Sequence, residues 1–169
     1  SLEDLFYEYI FNDDLFVKYN PTQLEYFDDE RLKNKNPFNI YYALIEMKFE
    51  GYDKNGNLTN EYLKKFGHPK YWDISEVDNF DNLFKDIPHF NEDISGWDVR
   101  HVKTMSGMFE NAEKFNQNIS GWNTNNVTNM SNMFNGAKEF NQDLSRWNVN
   151  KVTDMSNMLK GAENFENNI

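Results

Sequence analysis

The stretch WDVRHVKTMSGMFENAEKFNQNISG, residues 97–121, decides the reading of the chain because it recurs. It returns as WNTNNVTNMSNMFNGAKEFNQDLSR from Trp122 and as WNVNKVTDMSNMLKGAENFENNI from Trp147. A looser copy, WDISEVDNFDNLFKDIPHFNEDISG, begins at Trp72. Trp72, Trp97, Trp122 and Trp147 therefore mark a constant step of 25 residues (97 − 72 = 25). Self-similarity at a period of about 20–50 residues marks an architecture in which each repeat packs on the next.

The apolar positions keep the same phase. Val77, Val102, Val127 and Val152 follow the tryptophans, then Phe80, Met105, Met130 and Met155, then Leu83, Met108, Met133 and Met158. Phe84, Phe109, Phe134 and Leu159 come next, and Phe90, Phe115, Phe140 and Phe165 close the set. Within one repeat, Val102, Met105, Met108, Phe109 and Ala112 fall at helical spacing, which predicts a short helix. Gly136 and Gly161 stand where such a helix would stop. Trp97–Asp98–Val99 alternates apolar and polar, which predicts a short strand. The expected fold is an α/β repeat: a short right-handed leucine-rich-repeat-like solenoid of four 25-residue coils with an N-terminal helical cap.

These residues also carry a family resemblance. The pattern W-D-V-x-x-V-T-x-M-S-x-M-F-x-x-A-x-x-F-N-Q-D-I-S resembles the BspA-like, DUF285 or Mycoplasma lipoprotein type of bacterial surface-protein repeat, over about residues 68–169. The first coil departs at Phe80, Leu83 and Ile87-Pro88, and the last at Leu159 and Glu166-Asn167. The resemblance implies surface exposure, with adhesion or other protein binding, and it implies no catalytic residues.

Composition narrows the classes. The net charge of −11 over 169 residues lacks the basic footprint of a nucleic-acid binder and does not suit an anionic membrane surface. There is no cysteine, so neither a disulfide framework nor thiolate chemistry is available. No run approaches the roughly 18 apolar residues of a membrane span. Aromatic residues make up 17% of the chain, so the core is built from Phe, Trp, Tyr and Met rather than from Val and Leu.

Ahead of the repeats, residues 1–50 do not repeat and read as the helical cap or a linker. Leu2, Leu5, Phe6, Tyr9 and Ile10 share one helical face, and Pro37 opens a second helix through PFNIYYALIEMKF. Residues 51–71 read as a lead-in turn and helix, and residues 72–169 as the repeat domain. Asp53, Asn55 and Asn57 resemble the start of a calcium loop. Leu58 and Lys64 stand where that loop needs Gly and Glu, so Asn55-Gly56 is read as a tight turn. Thr59 or Asn60 then caps the helix NEYLKKF, which ends at Gly67.

Polar residues recur in columns as well: Asn91, Asn116 and Asn141; Asp73, Asp98, Asn123 and Asn148; Asp93, Asn118, Asp143 and Asn168; Ser95, Ser120 and Ser145. Their expected work is to satisfy backbone groups at turns and to bond from coil to coil. A cation strip along the Asp93 column is the alternative. The tryptophans invite a sugar-stacking reading, but their strict phase with the apolar set predicts burial. His68, His89 and His101 share no metal-ligand spacing, and Ser106 and Ser131 have no paired histidine in the sequence.

The expectation is accordingly a non-catalytic protein-binding repeat, without metal or cofactor, at the cell surface or outside the cell. Its partner would be a protein, with no nucleic acid and no membrane insertion, and end-to-end self-association is expected through the C-terminal coil. Candidate contacts are residues that differ between coils at equivalent positions: Arg100, Asn125 and Asn150; His101, Asn126 and Lys151; Glu113, Lys138 and Glu163. Two other classes stay open. One is a cytoplasmic inhibitor or immunity-type protein that meets a basic partner. The other is a glycan-active enzyme with paired carboxylates.

Overall fold

The computed structural model describes residues 40–167. The chain forms two compact bodies, 1–68 and 69–169. The expected helix over residues 2–10, and most of the expected cap, fall outside the described residues.

In the first body, helix α1 spans Ile40–Glu46 and widens into a single π-helical turn, Met47–Gly51. Asp53 then makes the tight turn. Its carboxylate accepts the N–H groups of Asn55 (2.8 Å) and Asn57 (3.0 Å), and Tyr52 pairs with Leu58 in an antiparallel bridge. Helix α2, Asn60–Phe66, starts where Thr59 accepts the N–H of Tyr62 (3.1 Å) and stops at Gly67, whose φ is 69°. The two helices are tied by the Tyr62 hydroxyl, which donates to the Ala43 carbonyl at 2.7 Å, and by Lys65, which meets the buried Glu46 at 2.7 Å. That hydrogen bond holds the Lys65 ammonium above its ordinary pKa. Among the described residues no helix is long and apolar enough to cross a membrane.

In the second body, the α/β leucine-rich-repeat solenoid expected from the pattern is not what forms. Among the described residues there is no β-strand, and the four coils contain no α-helix: α1 and α2 both lie in the first body. The backbone explains why. Asn82, Gly107, Asn132 and Asn157 occupy one column, and Asp86, Asn111, Gly136 and Gly161 another. All eight have positive φ, from 56° to 79°. A right-handed helix cannot pass through left-handed residues spaced four apart, and only Asn, Asp and Gly enter that region cheaply. The apolar spacing that looked helical is instead produced by a run of tight turns.

Those turns divide their donors between two tasks. The N–H groups of Met105, Gly107, Phe109 and Asn111 reach the carbonyls of Asn129, Ser131, Met133 and Asn135 in the next coil, at 2.8–2.9 Å. The intervening N–H groups of Met108, Glu110 and Ala112 bond back three residues within their own coil. The first and third coils repeat the pattern: Phe80, Asn82, Phe84 and Asp86 bond to the second, and Met130, Asn132, Phe134 and Gly136 to the fourth. Two further bonds per junction run the other way, such as Thr128 N–H to Lys103 O and Glu139 N–H to Glu113 O. The parallel pairing between coils is limited to isolated bridges, Asn79 to Thr104, Thr104 to Asn129 and Asn129 to Asp154, which lie away from the stretch expected to form a strand. Trp97–Val99 is irregular backbone between the turns at Ser95–Gly96 and Arg100–His101, not a strand.

The core is columnar. Phe84, Phe109 and Phe134 stack from coil to coil at 5.8 and 5.6 Å between centroids, and Phe90, Phe115, Phe140 and Phe165 at 5.8–6.0 Å. Within a coil the two columns touch, with Phe109 and Phe115 at 3.9 Å. The tryptophans are buried, as their phase predicts. Each indole N–H from the second coil onward donates to a carbonyl 28 residues earlier: Trp97 to Pro69, Trp122 to Ile94 and Trp147 to Ile119.

Candidate interaction surface

The polar columns do structural work. Asp73, Asp93, Asp98, Asn118, Asn123, Asp143 and Asn148 each accept, through a side-chain oxygen, the N–H of the residue two positions on. These Asx turns form the corners of the coil. Where serine follows, its hydroxyl adds a second bond to the same carboxylate, as Ser75 does to Asp73 at 2.7 Å. Serine side-chain bonds hold the carboxyls of Asp73, Asp143 and Asp154 below their usual range. Among the described residues no three His, Asp or Glu side chains converge on a point where a metal would sit.

The asparagine column bonds from coil to coil. Asn91 accepts the N–H of Asn116, Asn116 that of Asn141, and Asn141 that of Glu166, each at 2.9 Å. A half-buried relay that the sequence reading did not join together runs through the adjoining coils. The Asp81 carboxylate accepts the Thr104 hydroxyl and the Ser106 N–H, and the Ser106 and Ser131 hydroxyls meet at 2.8 Å. Its only sequence signal was that Asp81, Ser106, Ser131 and Ser156 share one column.

The nine residues singled out for contact fall into three columns. Arg100, Asn125 and Asn150 are all exposed. Arg100 clamps Asp98 with two bonds, at 2.9 and 2.6 Å, and that guanidinium lowers the Asp98 carboxyl to about 2. The second column is a ladder. His101 Nε2 lies 2.8 Å from Val77 O, Asn126 donates to Arg100 O at 2.7 Å, and Lys151 donates to Asn126 Oδ1 at 3.1 Å. In the third, Lys138 meets Glu113 at 3.5 Å, beside the reversed pair of Lys114 and Glu139 at 3.0 Å, and Glu163 is exposed. The surface thus carries crossed ion pairs rather than one sign of charge, and its varied positions partly bond to each other.

A groove opens beside the first two tryptophans, lined by Lys70, Asp73, Asp98 and His101 among others. Tyr71 next to it is 78% exposed, with the Lys70 ammonium 4.9 Å from its ring centre.

No curated protein and no solved structure matches this chain. A family model described as "Mycoplasma protein of unknown function, DUF285" matches residues 53–169, taking in the Asp53 turn, α2 and all four coils. The match thus begins ahead of the repeats, and the chain belongs to the DUF285 family.

Proposed function

We propose that this chain is a non-catalytic protein-binding module displayed at the cell surface, serving adhesion or another contact with a host molecule. The observation that carries this reading is a division of labour within each coil. The inward columns stay apolar in every coil, while the outward positions 100, 125 and 150, or 113, 138 and 163, change chemistry on a constant backbone. Repeat proteins present variable side chains on a fixed scaffold in this way. Further support comes from the carboxylates of the Asx turns, which are occupied with backbone and serine donors rather than set apart as an acid–base pair.

The test is external proteolysis of intact source cells, followed by a blot for the chain. Loss of the chain while a cytosolic control survives is the expected result. Protection until lysis overturns surface display. The net charge of −11 then favours the second reading, an inhibitor-type protein inside the cell whose basic partner binds less tightly as salt rises.

A further inference from the structure

The groove beside Trp72 and Trp97 owes its space to two short residues. Ser75 holds the position that Arg100, Asn125 and Asn150 hold in the later coils, and Gly96 the position that Arg146 holds in the third. The space between the first two coils is about 370 Å³. Apolar Trp72, Ile74 and Trp97 line it together with Asp73, Asp98 and His101.

Nothing in the fold requires glycine at position 96. Its φ is not positive, and a Cβ there would meet no atom within 4 Å. The same holds for Gly121, one coil further on. The glycines of the left-handed columns, Gly107, Gly136 and Gly161, differ in this respect, since positive φ accounts for each of them. A side chain that neither conformation nor packing forbids, and that is nevertheless missing, leaves the backbone open to close approach by a ligand. Tyr71 stands in the same column as Gly96, one coil earlier, and is 78% exposed. The Lys70 ammonium lies 4.9 Å from its ring centre, and among the described residues no other ring packs on it.

We propose that this groove binds a neutral oligosaccharide, with one sugar ring stacked on Tyr71 and the next seated over Gly96. This goes beyond the protein-binding reading and does not depend on it. Three features select the chemistry. The C–H face of a sugar is slightly positive and meets the negative face of an aromatic ring. Sugar hydroxyls both donate and accept, and the groove supplies partners for both. Asp73 Oδ1 is taken by the N–H and hydroxyl of Ser75 at 3.0 and 2.7 Å, while its Oδ2 makes no hydrogen bond among the described residues and can accept from a sugar hydroxyl. The ammonium of Lys70 is the donor. Finally, the charges balance: Lys70 offsets Asp73, and Arg100, at 2.6 Å, offsets Asp98. A cationic or anionic peptide therefore finds no complement there, whereas a neutral polyhydroxyl chain needs none. The tryptophans that invite sugar stacking in the sequence are buried, and the exposed ring beside them takes that role.

NMR titration of the 169-residue chain with cellohexaose, maltohexaose and chitohexaose tests this. The expected result is a saturable shift of the Ser75, Gly96 and Asp98 amides and of the Tyr71 ring with at least one of the three. Tyr71→Ala weakens that binding about tenfold. Gly96→Gln fills the groove and abolishes it. In both variants the amides of Phe134 and Phe140 keep their parental positions, which shows that the coils are folded. Absence of a shift with all three sugars overturns the site, and so does binding by either variant as tight as that of the parent. Tetralysine or tetraglutamate moving the same amides where no sugar does assigns the groove to a protein segment and overturns the sugar.

Discussion

The side-chain oxygen of Asn116 accepts the backbone N–H of Asn141 at 2.9 Å, and the amide of Gln142 reaches the same atom at 2.9 Å. One asparagine thereby joins the second coil to the third at a place where the backbone alone makes no bond. Asn116→Ala removes the shared acceptor. Because the site is solvated, the expected loss is about 1 kcal/mol, the net worth of an ordinary hydrogen bond. Asn116→Asp keeps the oxygen and most of the stability. Urea titration of both variants checks this, and an alanine variant as stable as the parent contradicts the role given to the column.

Asn132 has a φ of 57° and Gly136 one of 79°. Asn132→Ala should cost about 1–2 kcal/mol, the penalty for an ordinary side chain in the left-handed region, while Asn132→Gly should be nearly neutral. Gly136→Ala should cost at least as much, because a Cβ there meets the Asn111 side-chain oxygen as well. The order of the three melting temperatures is the readout. Alanine and glycine behaving alike at position 132 would falsify the turn-based account of the coil.

Phe115 is fully buried and stacks on Phe90, Phe109 and Phe140. Phe115→Ala opens a void where both aromatic columns meet, with an expected cost of about 3–5 kcal/mol. Tyr71→Ala removes a ring that is 78% exposed and is expected to leave the melting temperature within error.

Asp98 is fully solvated, yet its carboxyl lies near 2 because Arg100 holds it. A depressed folded-state value means that the favourable contribution is complete above the ordinary 3.8 and is lost as pH falls through about 2. The pair therefore favours the folded chain at neutral pH and releases it only in strong acid. NMR titration of the Asp98 carboxyl carbon should show a midpoint near 2 in the parent and one close to the ordinary value in Arg100→Ala. A midpoint unmoved by the substitution would show that the guanidinium is not the cause.

Legibility from sequence was uneven, for a physical reason. The 25-residue step, the buried tryptophans, the coil-to-coil asparagine bonds and a cap at Thr59 or Asn60, which the structure places at Thr59, could all be read, because each depends on residue type at fixed spacing. The secondary structure inside the coil was misread. Val102, Met105, Met108, Phe109 and Ala112 face inward in a helix and in a run of tight turns alike, so the apolar pattern could not separate the two. The discriminating signal lay in the polar residues between them. The column of Asn82, Gly107, Asn132 and Asn157 and that of Asp86, Asn111, Gly136 and Gly161 contain only the three residue types that tolerate positive φ. The bonds along the candidate contact columns were not legible either. Asn126 and Lys151 vary along their column, yet they bond along it, because a long polar side chain on a stacked surface finds its neighbour one coil away.

Every described bond between coils joins a residue to one 23 to 28 positions away, as Met105 N–H does to Asn129 O, the Thr104 hydroxyl to Asp81 and the Trp122 indole to Ile94 O. Among the described residues no coil makes a backbone bond to the coil after next. Deletion or duplication of a whole 25-residue block in the gene would therefore rejoin two faces of the same kind, and every surviving junction would be unchanged. Length in such a chain is a quantity that recombination can adjust freely, and the substitutions that matter accumulate on the outside of blocks whose inside is already settled.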